Sequence, residues 1–175
     1  MDFHCHALIL AMIEMLRAQG SRTGKTPIIK GLFLAKAVGL DVPFELFLYK
    51  HGPYSTDIED NLDQMKSYGA ILVEPAFDGY GVRLTPGENA DYVKHQAPLA
   101  ADELATLERV CRFIRHKNVS QLERLATAAW IRHEEAIEDT EEVAIRLNQL
   151  KPHISLPEAR EADRDIAEFL QGELG

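Results

Sequence analysis

Apolar residues recur at helical spacing along most of this chain and switch to strand-like clustering in one stretch. From Phe3 to Gln19, Ala7, Leu8, Ala11, Met12, Met15 and Leu16 form a periodic stripe that Gly20 ends, which predicts a helix. Ser21 to Lys25 reads as a loop. Thr26 as N-cap and Pro27 at the first helical position predict a second helix from about Pro27 to Val38, with Ile28, Leu32, Phe33 and Ala35 buried and Gly39 as the stop.

The period then changes between Phe44 and Leu84. Phe44 to Tyr49 has the aromatic and apolar density of a short buried strand, and Lys50-His51-Gly52-Pro53-Tyr54 breaks it because proline cannot donate to a ladder. Ser55 or Thr56 caps a third helix, with Thr56 and Glu59 at capping-box spacing, Ile58, Leu62 and Met65 on its apolar side and Gly69 at its end. Ala70 to Val73 restarts as strand, Asp78 to Gly81 reads as a hairpin turn, and Tyr80 to Leu84 returns. The order helix, helix, strand, helix, strand, strand is that of a winged helix.

Thr85-Pro86-Gly87 opens a short polar helix to about Lys94, and beyond Pro98 the pattern is helical throughout. Ala101 to Lys117 is expected to bury Leu104, Leu107, Val110, Cys111 and Ile114. Ser120 to about His133 is expected to bury Leu122, Leu125, Ala126, Ala129 and Trp130 behind a Ser120–Glu123 capping box. Glu141 to Leu150 and Pro157 to Leu170 complete the set. The expected fold is α+β and mostly α: a winged-helix-like unit over residues 1–97 with a small antiparallel sheet, and a helical lobe over 98–175. That lobe either packs back on the first unit or forms a homodimer interface.

Composition narrows the setting. Apolar residues at 46% and charged residues at 27% are ordinary for a soluble globular chain. No apolar run approaches the roughly 20 residues that span a bilayer, and no basic n-region precedes the first apolar stretch, so neither a membrane partner nor a signal peptide is expected. Cys5 and Cys111 lie far apart and give no disulfide framework, which fits a reducing cytoplasm.

The net charge of −9 opposes indiscriminate nucleic-acid binding, and its distribution is uneven. The segment Arg17 to Lys50 is net +4, Arg109 to His133 is net +5, and Glu134 to the end is net −8. Projected at 100° per residue, the third helix exposes Asp57, Glu59, Asp60 and Asp63 with Lys66 as the single base. A winged helix that reads DNA puts this element in the major groove, where such a face meets phosphates with repulsion. The basic residues Arg22, Lys25 and Lys30, Arg83 on the expected wing, and Arg109, Arg112 and Arg115 are better placed for an anionic partner, or they balance the acidic segments.

Motifs for catalysis are weak. Gly24-Lys25-Thr26 lacks the glycine spacing and preceding strand of a phosphate loop, and reads as an interhelical connection. His4-Cys5-His6 are adjacent on a helix, so the three cannot reach one ion. No nucleophile stands in an activating context, and no cofactor, metal ligand or catalytic residue is assigned. His51 and Tyr54 in the Gly-Pro loop are candidates for partner contact.

Tyr49-Lys50-His51-Gly52-Pro53-Tyr54-Ser55, following a short apolar strand and leading into an acidic helix that ends in Tyr68-Gly69-Ala70-Ile71, resembles the YwgA-like bacterial proteins. It is similar, more distantly, to the Panacea (SocA-like) antitoxin-associated domain. The likeness covers roughly residues 27–85. It implies a winged-helix-like fold and a regulatory or interaction role, often near prophage or toxin–antitoxin genes, and it supplies no catalytic residue. The reading is a regulatory or protein-interaction module whose acidic third helix and tail meet a basic protein partner. The alternative is a DNA-binding regulator that docks through its wing and basic segments.

Overall fold

The first helix, α1 (Phe3–Ala18), starts where the Asp2 carboxylate accepts from the amides of His4 and Cys5 at 3.0 and 3.3 Å. The computed structural model, which describes residues 1–172, then runs α2 (Lys25–Ala37), β1 (Phe47–Tyr49), β2 (Gly52–Tyr54), α3 (Thr56–Ser67), β3 (Ile71–Pro75) and β4 (Val82–Pro86). Five further helices follow: α4 (Ala90–Gln96), α5 (Ala101–Ile114), α6 (Val119–Glu134), α7 (Thr140–Leu150) and α8 (Leu156–Leu170). The architecture is α+β and mostly helical, with two separate two-stranded antiparallel sheets. Among the described residues no helix is long and apolar enough to cross a membrane.

Helix α2 lies at the centre. Every residue from Pro27 to Ala35 is buried, because α1, α5 and α6 all pack against it. Gly31 permits the close approach: a Cβ there would stand 2.3 Å from the Met12 methyl and 3.2 Å from Ile114 Cδ1. One apolar cluster runs from α1 through α2, α5 and α6 to Phe169 of α8, where Phe113 and Phe169 stack with centroids 4.3 Å apart.

Several expected boundaries move, each for a local reason. Helix α2 begins at Lys25, capped by Gly24 rather than Thr26, and Pro27 is tolerated at the third position because the first-turn amides need no intrahelical acceptor. Ser55 caps α3 by accepting from the Ile58 amide at 3.2 Å, so Thr56 is already helical and forms no capping box with Glu59. In α6 the box joins Asn118 and Gln121, not Ser120 and Glu123. Helix α5 stops at Ile114, three residues short of Lys117, as the chain turns through a left-handed His116. Leu104, expected inside, is exposed on the outer side of α5. Thr85 and Pro86 belong to β4, which delays α4 to Ala90. The wing strands extend to Pro75 and Val82, with Glu74 opposite Arg83, so the turn spans residues 76–81.

The largest correction concerns residues 44–54. In place of a buried strand and a breaking turn there is a hairpin, β1 paired with β2 in the register Phe47 to Tyr54, Leu48 to Pro53 and Tyr49 to Gly52. Pro53 is accommodated because both strands of a two-stranded sheet are edges. Phe44 is buried, but Phe47 and Tyr49 point outward because nothing covers that face of the ribbon. The element order thus has one more strand than a plain winged helix, and β1 pairs with β2 rather than with the wing. The wing is instead joined by the α1–α2 connection: the Leu84 amide donates to the Thr23 carbonyl at 3.2 Å, and the Thr23 hydroxyl donates back to the Leu84 carbonyl at 2.7 Å.

Candidate docking surface

The outward face of the hairpin is aromatic. Phe47, Tyr49 and Tyr54 share it, since residues two apart on a strand and their cross-strand partners project to the same side. Their ring centroids lie 5.7 to 6.1 Å apart, each ring touching both others. Phe47 is 38% and Tyr49 53% exposed, a cost in hydration that the fold itself does not recover.

Behind the hairpin, its backbone carbonyls meet charged side chains. The Lys30 ammonium, buried in α2, donates to the Pro53 carbonyl at 2.7 Å. Lys151, the C-cap of α7, donates to the Tyr49 carbonyl at 3.1 Å and to that of Lys50. Two ammonium groups therefore replace the strand that would otherwise satisfy these carbonyls. Glu123 of α6 supplies the buried countercharge, with its Oε1 3.8 Å from Lys151 Nζ and 3.4 Å from His153 Nε2, and its Oε2 3.9 Å from His51 Nδ1. Burial pulls the Lys30 ammonium down to about 8, against the attraction of Glu123 and with the repulsion of Lys151. Gly52, at φ +95°, closes the turn directly over Thr127.

Beside the rings stands the acidic face of α3. The Glu59 carboxylate beside the Tyr54 phenol, with burial, pushes it up to about 12. Glu59 also lies 3.6 Å from Lys25 Nζ. Asp57 is engaged internally, its Oδ2 accepting from the Glu45 amide at 2.8 Å, which ties the approach to β1 onto α3. Asp60 and Asp63 are exposed, and neither forms an ion pair among the described residues. His51 at the hairpin tip is also exposed. His51, Tyr54, Glu59, Asp60 and Asp63 are thus brought onto or around one surface, and Asp57 braces it from within.

The expected basic positions separate. Lys30 is inside the protein, where it cannot reach a phosphate. Arg109 lies 4.6 Å over the Phe169 ring and donates to the Phe169 carbonyl. Arg112 is 3.9 Å from Glu108 on the same helix, and Arg115 is exposed at the end of α5. Arg22, Lys25 and Arg83 gather near the wing, paired with Asp78 at 2.7 Å, with Glu59, and with Glu74 respectively.

The sequence pattern does not mark Phe47, Tyr49, Glu123, Thr127 or Lys151 as part of this surface. The available signal was Lys30 itself, one cation inside the otherwise apolar run Ile28 to Ala35. Its position implied a buried acceptor nearby. Among the described residues no three His, Cys, Asp or Glu side chains are grouped to hold a metal ion. No family model matches the chain, and no curated protein matches it.

Proposed function

We propose that the chain is a regulatory module of winged-helix type that docks a basic segment of a protein partner on the surface made by the β1–β2 hairpin and α3. The winged-helix reading rests on the succession α1, α2, α3 and the β3–β4 ribbon, with Thr23 standing in for the strand that joins the wing and the hairpin inserted before α3. In that arrangement α3 holds the place of a recognition helix, and its acidic exposed face opposes a phosphate backbone.

One observation carries the partner's chemistry: three mutually touching rings, with Phe47 and Tyr49 exposed and Tyr54 half-buried, lie beside α3, whose Asp60 and Asp63 are exposed and form no ion pair among the described residues. Aromatic clusters supply the anchoring contacts of protein interfaces, and a charged rim selects the complementary charge. The occupant is accordingly a segment bearing Lys or Arg around an apolar side chain. The hairpin is held from behind by Lys30 and Lys151, so its rings are positioned before the partner arrives.

Peptide display against the folded protein, with an Asp60→Lys/Asp63→Lys variant as counter-selection, tests this. The expected consensus places one or two Lys or Arg beside an aromatic or branched apolar residue and disappears with the variant. Peptides that bind both proteins equally, or a consensus without basic residues, would remove the reading.

A further inference from the structure

The groove between the wing and the α1–α2 connection adjoins the hairpin–α3 surface at the Lys25–Glu59 pair and has its own chemistry. It is open, about 770 Å³ in volume, and is lined by Arg17, Arg22, Lys25, Arg83, Phe77 and Tyr80. In a chain of net charge −9, four cations line this one depression; Arg22, Lys25 and Arg83 are paired to Asp78, Glu59 and Glu74, and Arg17 has no ion pair among the described residues. Asp78 is the single carboxylate in the lining. The clamp between Thr23 and Leu84 fixes the two walls relative to each other.

The aromatic lining is equally distinctive. Phe77 is 91% and Tyr80 82% exposed at the wing tip, so neither ring contributes to the core. The Arg83 guanidinium lies 4.2 Å over the Phe77 ring, which leaves a flat cationic and aromatic platform on the groove wall. The first turn of α2, from Lys25 to Pro27, opens into the same space, and Gly24 offers it no side-chain cap. Its dipole adds positive potential at that end.

We infer that this groove binds a single strand of nucleic acid, with phosphates on Arg17, Arg22 and Lys25 and unpaired bases on Phe77 and Tyr80. Cations tracking a backbone beside exposed rings are the combination by which proteins hold unpaired strands. A duplex is disfavoured, because its stacked bases offer no faces to the rings and its adjacent groove would meet the acidic α3. Arg22 and Lys25 give up only surface ion pairs to Asp78 and Glu59, contacts weak enough for a phosphate to replace. Arg17 has no such pair to break among the described residues.

Fluorescence anisotropy with a labelled short oligothymidylate at about 50 mM salt, where phosphate contacts are least screened, is the experiment. Three phosphate contacts to a single strand predict a slope of log affinity against log salt of about −2. Phe77→Ala/Tyr80→Ala should weaken binding by about tenfold or more through lost stacking. Arg17→Gln/Arg22→Gln should weaken it and flatten the salt slope. All four side chains are exposed, and circular dichroism confirms that the variants fold. Competition by unlabelled duplex as strong as by single strand, competition by free thymidine monophosphate or inorganic phosphate at comparable concentration, insensitivity to the ring substitutions, or no binding at all would each overturn the inference. Asp60→Lys/Asp63→Lys, expected to abolish peptide docking, should leave oligothymidylate affinity unchanged or raise it, so the two surfaces are tested separately.

Discussion

Lys30 donates its ammonium to the Pro53 carbonyl at 2.7 Å, joining a helix buried on almost every side to the back of an exposed hairpin. The contact has a measurable pH signature. Burial lowers the Lys30 ammonium from 10.5 to about 8, so between those values the folded protein binds fewer protons than the unfolded chain and stability rises with pH. Lys151 is lowered by burial too and acts in the same sense. Above pH 9 the buried thiols of Cys5 and Cys111, pushed up to about 12, oppose the rise, because the unfolded chain loses protons that the folded one keeps. The increase is therefore confined to about pH 8–9 and amounts to roughly 0.5–1 kcal/mol. Urea unfolding at the two ends of that window measures it, and Lys30→Met should show a smaller increase.

Gly52 is the second fixed point of the hairpin. A methyl on its Cα would lie 2.7 Å from the Thr127 hydroxyl oxygen, in a backbone at φ +95°. Gly52→Ala should cost about 2–4 kcal/mol, from backbone strain and the clash together. Gly79→Ala is the control: φ is +78° there too, but nothing lies within 4 Å of the added carbon, so the cost should be about 1 kcal/mol. Equal losses for the two variants would show that the hairpin does not press on α6.

Away from the site, Asp163 and Arg132 form a largely buried ion pair. Asp163 is fully buried and accepts from Arg132 Nε at 2.6 Å and from its Nη2 at 2.7 Å, which locks α8 to α6. Asp163→Asn should cost about 3–5 kcal/mol, because it strands a largely buried guanidinium without its anion. Glu141→Gln, which breaks the exposed pair with Arg160 at 2.8 Å, should leave the unfolding midpoint where it was. Thermal denaturation of the two variants distinguishes these outcomes.

The helices were legible because their apolar stripes and stop signals are local: Gly20 after α1, Gly69 after α3 and Pro157 at the start of α8 lie where the pattern placed them. The hairpin was not, since strands of three residues carry no period and Pro53 argues against a ladder. Its aromatic density pointed to burial, whereas the rings face outward because no element covers them. The acidic face of α3 could be projected from spacing alone. The inward turn of Lys30 could not, because α2 is buried all round and no polar side marks which way a cation would go. Glu123 and Lys151 lie roughly a hundred residues from the carbonyls and ammonium they serve, a distance that chain pattern does not bridge.

Docking of a basic protein segment on the hairpin and α3 is open to direct test. A photo-crosslinking phenylalanine derivative placed at Asp60, irradiated in cells that make the protein, tests it most directly. The expected result is an adduct with one polypeptide that survives nuclease, whose cross-linked peptide carries Lys or Arg beside the attachment point, and that weakens when Tyr49→Ala is added. A nuclease-sensitive adduct, or one indifferent to Tyr49→Ala, would contradict it.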